Sequence, residues 1–137
     1  MTEEPKQEPI QEPKQEPAQE QKQVIKVTED GKVTKVILKA GYGMKPRRGQ
    51  KVSVHYTGYL LDGTKFDSSV DRNNPFMFQI GKGVISGWNN ALLSMKLGEK
   101  SEFTLAPEYA YGARGAPPSI PGNATLKFEI ELLKIHK

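Results

Sequence analysis

Apolar and polar residues alternate along several stretches of this sequence, and this pattern restricts the fold more than any other feature. Three such stretches lie at residues 51–57, 76–80 and 102–105, and a further apolar-rich stretch at residues 33–38 follows a turn-like segment. The clearest is the last one along the chain, with apolar residues at Leu126, Phe128, Ile130 and Leu132. A period of two is typical of strands that bury one face. The sequence therefore predicts five or six mainly antiparallel strands.

One stretch has the period of a helix instead. From about Gly87 to Leu97 apolar residues recur three and four positions apart, at Trp88, Ala91, Leu92 and Met95. We expect Ser86 to be the N-cap and Gly98 to adopt the left-handed C-terminal conformation. The sequence predicts an α+β fold, in which a twisted, mainly antiparallel sheet wraps its apolar face around this one short helix.

The aromatic residues are more numerous than packing against one short helix requires. They include Tyr56, Phe66, Phe76, Trp88, Tyr111 and Phe128. Trp88 is the only tryptophan, and by itself it is either the centre of a core or the floor of a pocket. The whole set favours an apolar pocket between sheet and helix.

The residue types that are missing exclude several kinds of chemistry. Without cysteine the chain forms no disulfide and has no thiol nucleophile. Its two histidines, His55 and His136, lack metal-ligand spacing, and we expect no metal and no cofactor. No apolar run is long enough to cross a membrane, and the N-terminus has no signal-peptide core. We expect a cytoplasmic protein without membrane partners, with a nuclear location as the alternative.

Residues 1–23 differ from the rest in composition and contain a repeat of eight residues beginning at Glu4 and Glu12. Six glutamates and three lysines give this segment a net charge of −3, and the total of +4 leaves +7 for residues 24–137. The segment has too few apolar residues to offset the entropy of ordering. We predict a disordered tail followed by one domain over residues 24–137. The tail is interpreted as a spacer, with a docking segment as the alternative.

The basic surplus of residues 24–137 is scattered, apart from Lys45-Pro46-Arg47-Arg48. A surplus of this kind attracts nucleic acid or acidic partners when it is concentrated on one face. We interpret it as a solvated face and expect no nucleic-acid partner.

Five runs, in this order, strongly resemble the FKBP-type peptidyl-prolyl cis-trans isomerases, and the likeness covers residues 33–135. The runs are Val54-His55-Tyr56-Thr57-Gly58, Lys65-Phe66-Asp67-Ser68-Ser69, Gly81-Lys82-Gly83-Val84-Ile85-Ser86-Gly87-Trp88, Tyr109-Ala110-Tyr111-Gly112 and Ile120-Pro121-Gly122-Asn123-Ala124-Thr125-Leu126.

The resemblance implies a role for each matching residue. Trp88 would be the floor on which the substrate proline ring lies, Tyr111 would donate a hydrogen bond to a ligand carbonyl, and Ile120 would close one side. The walls would be Tyr56, Phe66, Phe76, Val84, Ile85 and Phe128. Asp67 would be the pocket carboxylate and Arg72 its charge partner. For Asp67, a salt bridge that only pins its loop and a direct electrostatic role remain open.

The chain departs from the family pattern at the pocket rim. The glycine-rich loop is one residue shorter than in common members, with Gly83 where an acidic residue often precedes the valine. Ala116 stands where a histidine is frequent, and Pro118-Ser119 replaces a glycine-aliphatic pair. These differences bear on sequence preference and partner contacts, with Ala116 still expected to contact the ligand.

The resemblance implies an enzyme that accelerates rotation about X-Pro bonds and assists protein folding, and that binds macrolides of the tacrolimus and rapamycin type. Its partners would be proline-containing peptides and proteins, and we expect a monomer. The competing hypothesis is a binding module that holds proline-containing segments without turnover being its role.

Overall fold

A computed structural model describes residues 23–136. The predicted disorder of the tail concerns residues that, apart from Gln23, lie outside this range. The strands are β1 (Ile25–Lys26), β2 (Val33–Lys39), β3 (Lys51–Leu60), β4 (Lys65–Ser68), β5 (Phe76–Gln79), β6 (Lys100–Leu105) and β7 (Leu126–Ile135). Within residues 23–136 one α-helix, α1 (Ser86–Leu93), precedes β6, and one 3-10 turn, Pro107–Tyr109, follows it.

The strands form one sheet in the order β1-β2-β6-β7-β3-β4, and every pairing is antiparallel. β5 also pairs with β3, along the edge that β4 occupies further on. The backbone N–H of Ser69 donates to the carbonyl of Tyr56 at 3.0 Å, between these two pairings. Tyr56 therefore lies between the part of β3 that pairs with β5 and the part that pairs with β4.

The apolar face of the sheet packs against α1. Trp88, Ala91 and Leu92 of the helix are buried together with the inward residues of β3, β6 and β7. In β7 the alternation is as expected, with Leu126, Phe128, Ile130 and Leu132 all buried. The predicted α+β class is confirmed, and the described part of the chain has seven strands when the two-residue β1 is counted. Within residues 23–136, no helix has the length and hydropathy of a transmembrane segment.

The helix is shorter than the sequence predicts, and both caps differ. Ile85 is the N-cap, with an extended backbone and no capping side chain, so Ser86 is the first helical residue. The helix ends at Leu93, and Ser94 turns back so that its hydroxyl donates to the carbonyl of Ala91 at 2.7 Å. Gly98 is left-handed (φ 83°) as expected, but its N–H donates to Leu132 of β7. It therefore belongs to the connection into β6.

A buried ion pair connects the C-terminal end of α1 to the sheet. Lys35 of β2 points inward, and its Nζ donates to Glu99 Oε2 and to the carbonyl oxygen of Ser94, both at 2.8 Å. The side chains of Lys35 and Glu99 are 7% and 4% exposed. The remaining carboxylate positions accept from the Ser101 hydroxyl at 2.7 Å and the Lys96 N–H at 3.0 Å. The pair is thus fully hydrogen-bonded, which a buried charge requires.

Candidate functional site

A cavity of about 450 Å³ lies between the start of α1 and the sheet. It is lined by Tyr56, Phe66, Asp67, Phe76, Gly83, Val84, Ile85, Trp88, Tyr111 and Phe128. Nine of these ten are among the twelve side chains predicted for the site. The other three, Arg72, Ala116 and Ile120, do not line the cavity.

Trp88 lies at the base of this cavity and is only 5% exposed. Three rings stand nearly perpendicular to its indole: Tyr56 at 4.8 Å, Phe128 at 5.3 Å and Phe76 at 5.8 Å between centroids. Edge-to-face packing of this kind is the favoured geometry for aromatic pairs. The indole Nε1 is buried and has no hydrogen-bond partner within residues 23–136. The indole ring is therefore held in place by packing contacts and not by a side-chain hydrogen bond.

One wall depends on a glycine that the sequence analysis did not select. Phe66 and Phe128 meet edge to face at 5.6 Å over Gly58 in β3. A Cβ built on Gly58 would lie 2.6 Å from Phe66 Cζ and 2.8 Å from Phe128 Cε1, so both rings would have to shift. Gly58 closes the first motif run, and that position is the sequence signal that identifies it.

The polar side of the cavity is a cluster of three side chains. Tyr56 donates its hydroxyl proton to Asp67 Oδ2 at 2.5 Å, and Arg72 forms a salt bridge with Asp67 Oδ1. Arg72 also donates from Nη2 to the Tyr56 hydroxyl oxygen at 3.0 Å. Arg72 is thus the charge partner of the Asp67 carboxylate, but it does not line the cavity.

The protonation states of the cluster follow from these contacts. Burial would raise the pKa of Asp67, but the hydrogen bonds from Tyr56 and Arg72 hold it below the usual 3.8. Burial and the hydrogen bond to Asp67 raise the pKa of the Tyr56 hydroxyl above 10.0. Burial, and then the negative charge of Asp67, also raise the pKa of Tyr111. At neutral pH the cavity holds one carboxylate and two protonated phenols.

The long loop between β6 and β7 supplies Tyr111, which lines the cavity and is 39% exposed. Ile120, 4% exposed, packs in the core and exchanges backbone hydrogen bonds of 2.8 and 3.0 Å with Ala116. These two residues therefore hold the loop together through backbone hydrogen bonds and do not line the cavity. Gly83 also lines the cavity and has φ 73°, and the sequence signal for it was its position directly before Val84.

Comparisons with known proteins agree with this geometry. The sequence profile of the FKBP-type peptidyl-prolyl cis-trans isomerases matches residues 42–133. The chain is 58% identical over 106 residues to FK506-binding protein 1A of Aspergillus fumigatus, covering 76% of this chain and 95% of that protein. It is 57% identical over 91 residues to the peptidyl-prolyl cis-trans isomerase Fkbp12 of Drosophila melanogaster, covering 66% and 84%.

Longer relatives match over one part of their sequence. The human peptidyl-prolyl cis-trans isomerase FKBP4 is 56% identical over 108 residues, which cover 77% of this chain but only 24% of that protein. The profile match spans most of the chain, and the first two relatives are covered over most of their own length. The chain therefore belongs to the FKBP-type peptidyl-prolyl cis-trans isomerase family.

Proposed function

We propose that the cavity above Trp88 is the site where this chain rotates X-Pro bonds in proteins, and that it also binds tacrolimus- and rapamycin-type macrolides. The observation that carries the proposal is a cavity of about 450 Å³ walled by perpendicular aromatic rings with one polar side. A site of this volume, mainly apolar and with a few fixed polar groups, suits a small cyclic side chain and its flanking carbonyls.

The reaction needs no bond breaking. Amide resonance opposes rotation by about 18–20 kcal/mol, and X-Pro bonds exchange unaided in tens to hundreds of seconds. The twisted transition state has lost resonance, so its carbonyl is less dipolar than that of the planar amide. An apolar cavity disfavours the planar form relative to the twisted one. Binding that strengthens at the twisted geometry accelerates the step.

In this scheme Trp88 and the surrounding rings hold the proline ring while the preceding carbonyl turns. Asp67 lines the cavity, yet both its oxygens already accept hydrogen bonds, from Tyr56 and from Arg72. The cluster therefore supports both roles considered for Asp67. It pins the chain between β4 and β5, and it directs a fixed negative charge at the cavity.

The decisive test is an isomerisation assay on short X-Pro peptides, using the full chain with and without a tacrolimus-type macrolide. We expect acceleration over the uncatalysed rate and competitive inhibition by the macrolide. Absence of acceleration with several residues before proline would overturn the enzyme assignment of this cavity. Retained peptide binding without acceleration would support the binding module instead.

Replacing Tyr111 with phenylalanine removes one hydroxyl from the cavity rim and little volume. We expect macrolide affinity to fall by about 0.5–1.5 kcal/mol, the value of a neutral hydrogen bond. Titration calorimetry on the full chain measures this directly. Equal affinities for the two proteins would show that the phenol makes no contact with the ligand.

The pH dependence of turnover follows from the cluster. The pKa of Asp67 is lowered from 3.8, and those of Tyr56 and Tyr111 are raised from 10.0. None of the three changes protonation between about pH 5 and 9, so we expect a flat profile of kcat/KM there. A step inside this range would show that another group controls the rate.

The proposal includes a cytoplasmic monomer that assists folding of proline-containing proteins. Sedimentation of the purified chain at several concentrations tests the monomer. A concentration-dependent increase in mass would contradict it.

A further inference from the structure

Four exposed cations form one surface beside the cavity, here called the basic strip. They are Lys45, Arg47, Arg48 and Lys82. The first three lie in the turn before β3, and the fourth lies in the loop before α1. The sequence pattern separates these two segments by more than thirty residues, and only the fold brings them together.

Hydrogen bonds fix the two segments to each other. Gly49 N–H donates to the Ile80 carbonyl, and Ile80 N–H donates to the Gln50 carbonyl, both at 2.9 Å. The Arg48 side chain lies over Gly81, where an added Cβ would be 3.2 Å from its Nη1. The strip is therefore a single preformed surface.

The strip runs from the N-terminal hairpin to the cavity. At one end Lys45 shares a cleft with Val27 and Thr28, directly after β1. At the other end Lys82 precedes Gly83, which lines the aromatic cavity. A segment entering at β1 can follow the strip to the cavity mouth.

The charges of the strip are not used within residues 23–136. The ion pairs of that part of the chain are Lys32–Glu108, Lys35–Glu99, Lys39–Glu131, Lys65–Asp71 and Arg72–Asp67. None includes a strip residue. A surface with several exposed like charges attracts an acidic partner.

The chain itself contains a segment of matching chemistry and length. Residues 3–20 carry six glutamates, and each of their four prolines follows a glutamate, in Glu4-Pro5, Glu8-Pro9, Glu12-Pro13 and Glu16-Pro17. β1 is four strand intervals from β3, roughly 19 Å at the usual strand spacing. Even Pro17, the nearest, is eight residues before Ile25, and eight extended residues span about 26 Å.

We propose that residues 3–20 bind in cis along the basic strip and bring a Glu-Pro bond to the mouth of the aromatic cavity. The segment is then an internal competitor of external proline substrates, at the millimolar effective concentration that a short tether gives. The competition, unlike the docking, rests on the proposed function of the cavity.

The docking is tested without any use of turnover. Because the sequence has no cysteine, Gln11→Cys in the full chain takes a single nitroxide spin label. We expect paramagnetic broadening of the amide signals of Lys45, residues 47–49 and residues 81–83, since Pro46 has no amide proton. The broadening should be strong at about 0.01 M salt and lost at about 1 M, because the Debye length is about 30 Å at the lower and about 3 Å at the higher concentration.

Two variants, each of which removes three positive charges, supply the test and its control. Arg47→Gln, Arg48→Gln and Lys82→Gln together should abolish the broadening. Lys96→Gln, Lys127→Gln and Lys134→Gln remove the same charge elsewhere and should leave it unchanged. Broadening that survives in the strip variant, or that is absent in the labelled parent chain, overturns the proposal. Equal broadening in a mixture of spin-labelled chains with separate isotope-labelled chains would make a second copy the occupant and also overturns it.

The competition is measured with the four tail prolines replaced by alanine, which keeps every tail charge. A tail that occupies the cavity half of the time doubles the apparent KM, so KM for a short peptide should fall about twofold in this variant, with kcat unchanged. An unchanged KM with intact broadening would limit the segment to the strip and overturn the competition. An inactive parent chain would contradict the proposed function and leave the docking result standing.

Discussion

Replacing Trp88 with alanine is expected to lower the free energy of unfolding by about 3–5 kcal/mol, the usual cost of removing a large buried aromatic side chain. The physical reason is that Trp88 is 5% exposed and contacts Tyr56, Phe76 and Phe128 at centroid distances below 6 Å. The same change removes the cavity floor, so macrolide affinity should fall as well. Urea denaturation measures the first effect and titration calorimetry the second.

A matched variant separates stability from binding. Phe103 of β6 is fully buried, but it does not line the cavity. Phe103→Ala should therefore cost a comparable amount of stability while the folded fraction keeps its macrolide affinity. A folded Trp88→Ala protein with the affinity of the parent chain would place the binding site elsewhere.

Replacing Lys35 with methionine is expected to cost about 3–5 kcal/mol at pH 7, because it leaves the Glu99 carboxylate charged, buried and without its cation. Both side chains are almost fully buried, and Lys35 Nζ also holds the carbonyl of Ser94 at the end of α1. Lys35→Met combined with Glu99→Leu leaves no unpaired charge. We expect the double variant to be less destabilised than Lys35→Met alone.

The pH dependence gives this prediction a separate signature. Burial would raise the pKa of Glu99, but its hydrogen bonds from Lys35, Lys96 and Ser101 hold it below 4.5. In the parent chain this contribution is therefore present above pH 4.5 and is lost as the pH falls through the lowered pKa. Without Lys35 the effect of burial is less opposed, so the pKa of Glu99 should be higher in Lys35→Met than in the parent chain. Protonation of Glu99 at low pH then removes the unpaired buried charge and lessens the loss of stability.

The loss of stability in Lys35→Met should accordingly shrink between pH 7 and about pH 4.5, as urea denaturation at the two values would detect. Lys32→Met provides the control, since the Lys32–Glu108 pair is exposed on both sides and should have no measurable effect. A loss that does not change with pH would show that packing, and not an unpaired charge, dominates.

The strands could be predicted from the sequence because their pattern is local. From Val52 to Tyr56 in β3 and from Leu126 to Leu132 in β7 every second residue is apolar, and a strand places those side chains on one face whatever it later packs against. The connection between β3 and β4 also depends on neighbouring residues, because Asp62-Gly63 is a common turn pair and Gly63 adopts the left-handed conformation there (φ 93°). The α+β class followed from these patterns and the single helical stripe.

The site was predicted mainly through the resemblance of the motif runs, and the fold shows why composition alone was insufficient. Tyr56, Trp88 and Phe128 lie far apart along the chain and come together only when β3, α1 and β7 pack. Their positions in a strand or helix pattern mark them as buried. It does not distinguish a residue of the cavity wall from a residue of the closed core such as Phe103.

Only the tertiary structure determined the ends of α1, the close packing over Gly58 and the burial of Lys35. A lysine in a strand is ordinarily expected in solvent, and the partner that makes its burial tolerable, Glu99, is 64 positions away. Lys35 also donates to the carbonyl of Ser94, directly after the last residue of α1. The helix ends there, earlier than its apolar stripe predicts. Local sequence determined which faces are apolar, because that depends on neighbouring residues. Long-range pairing, as between Lys35 and Glu99, determined which polar side chains are buried, because that depends on residues distant in sequence.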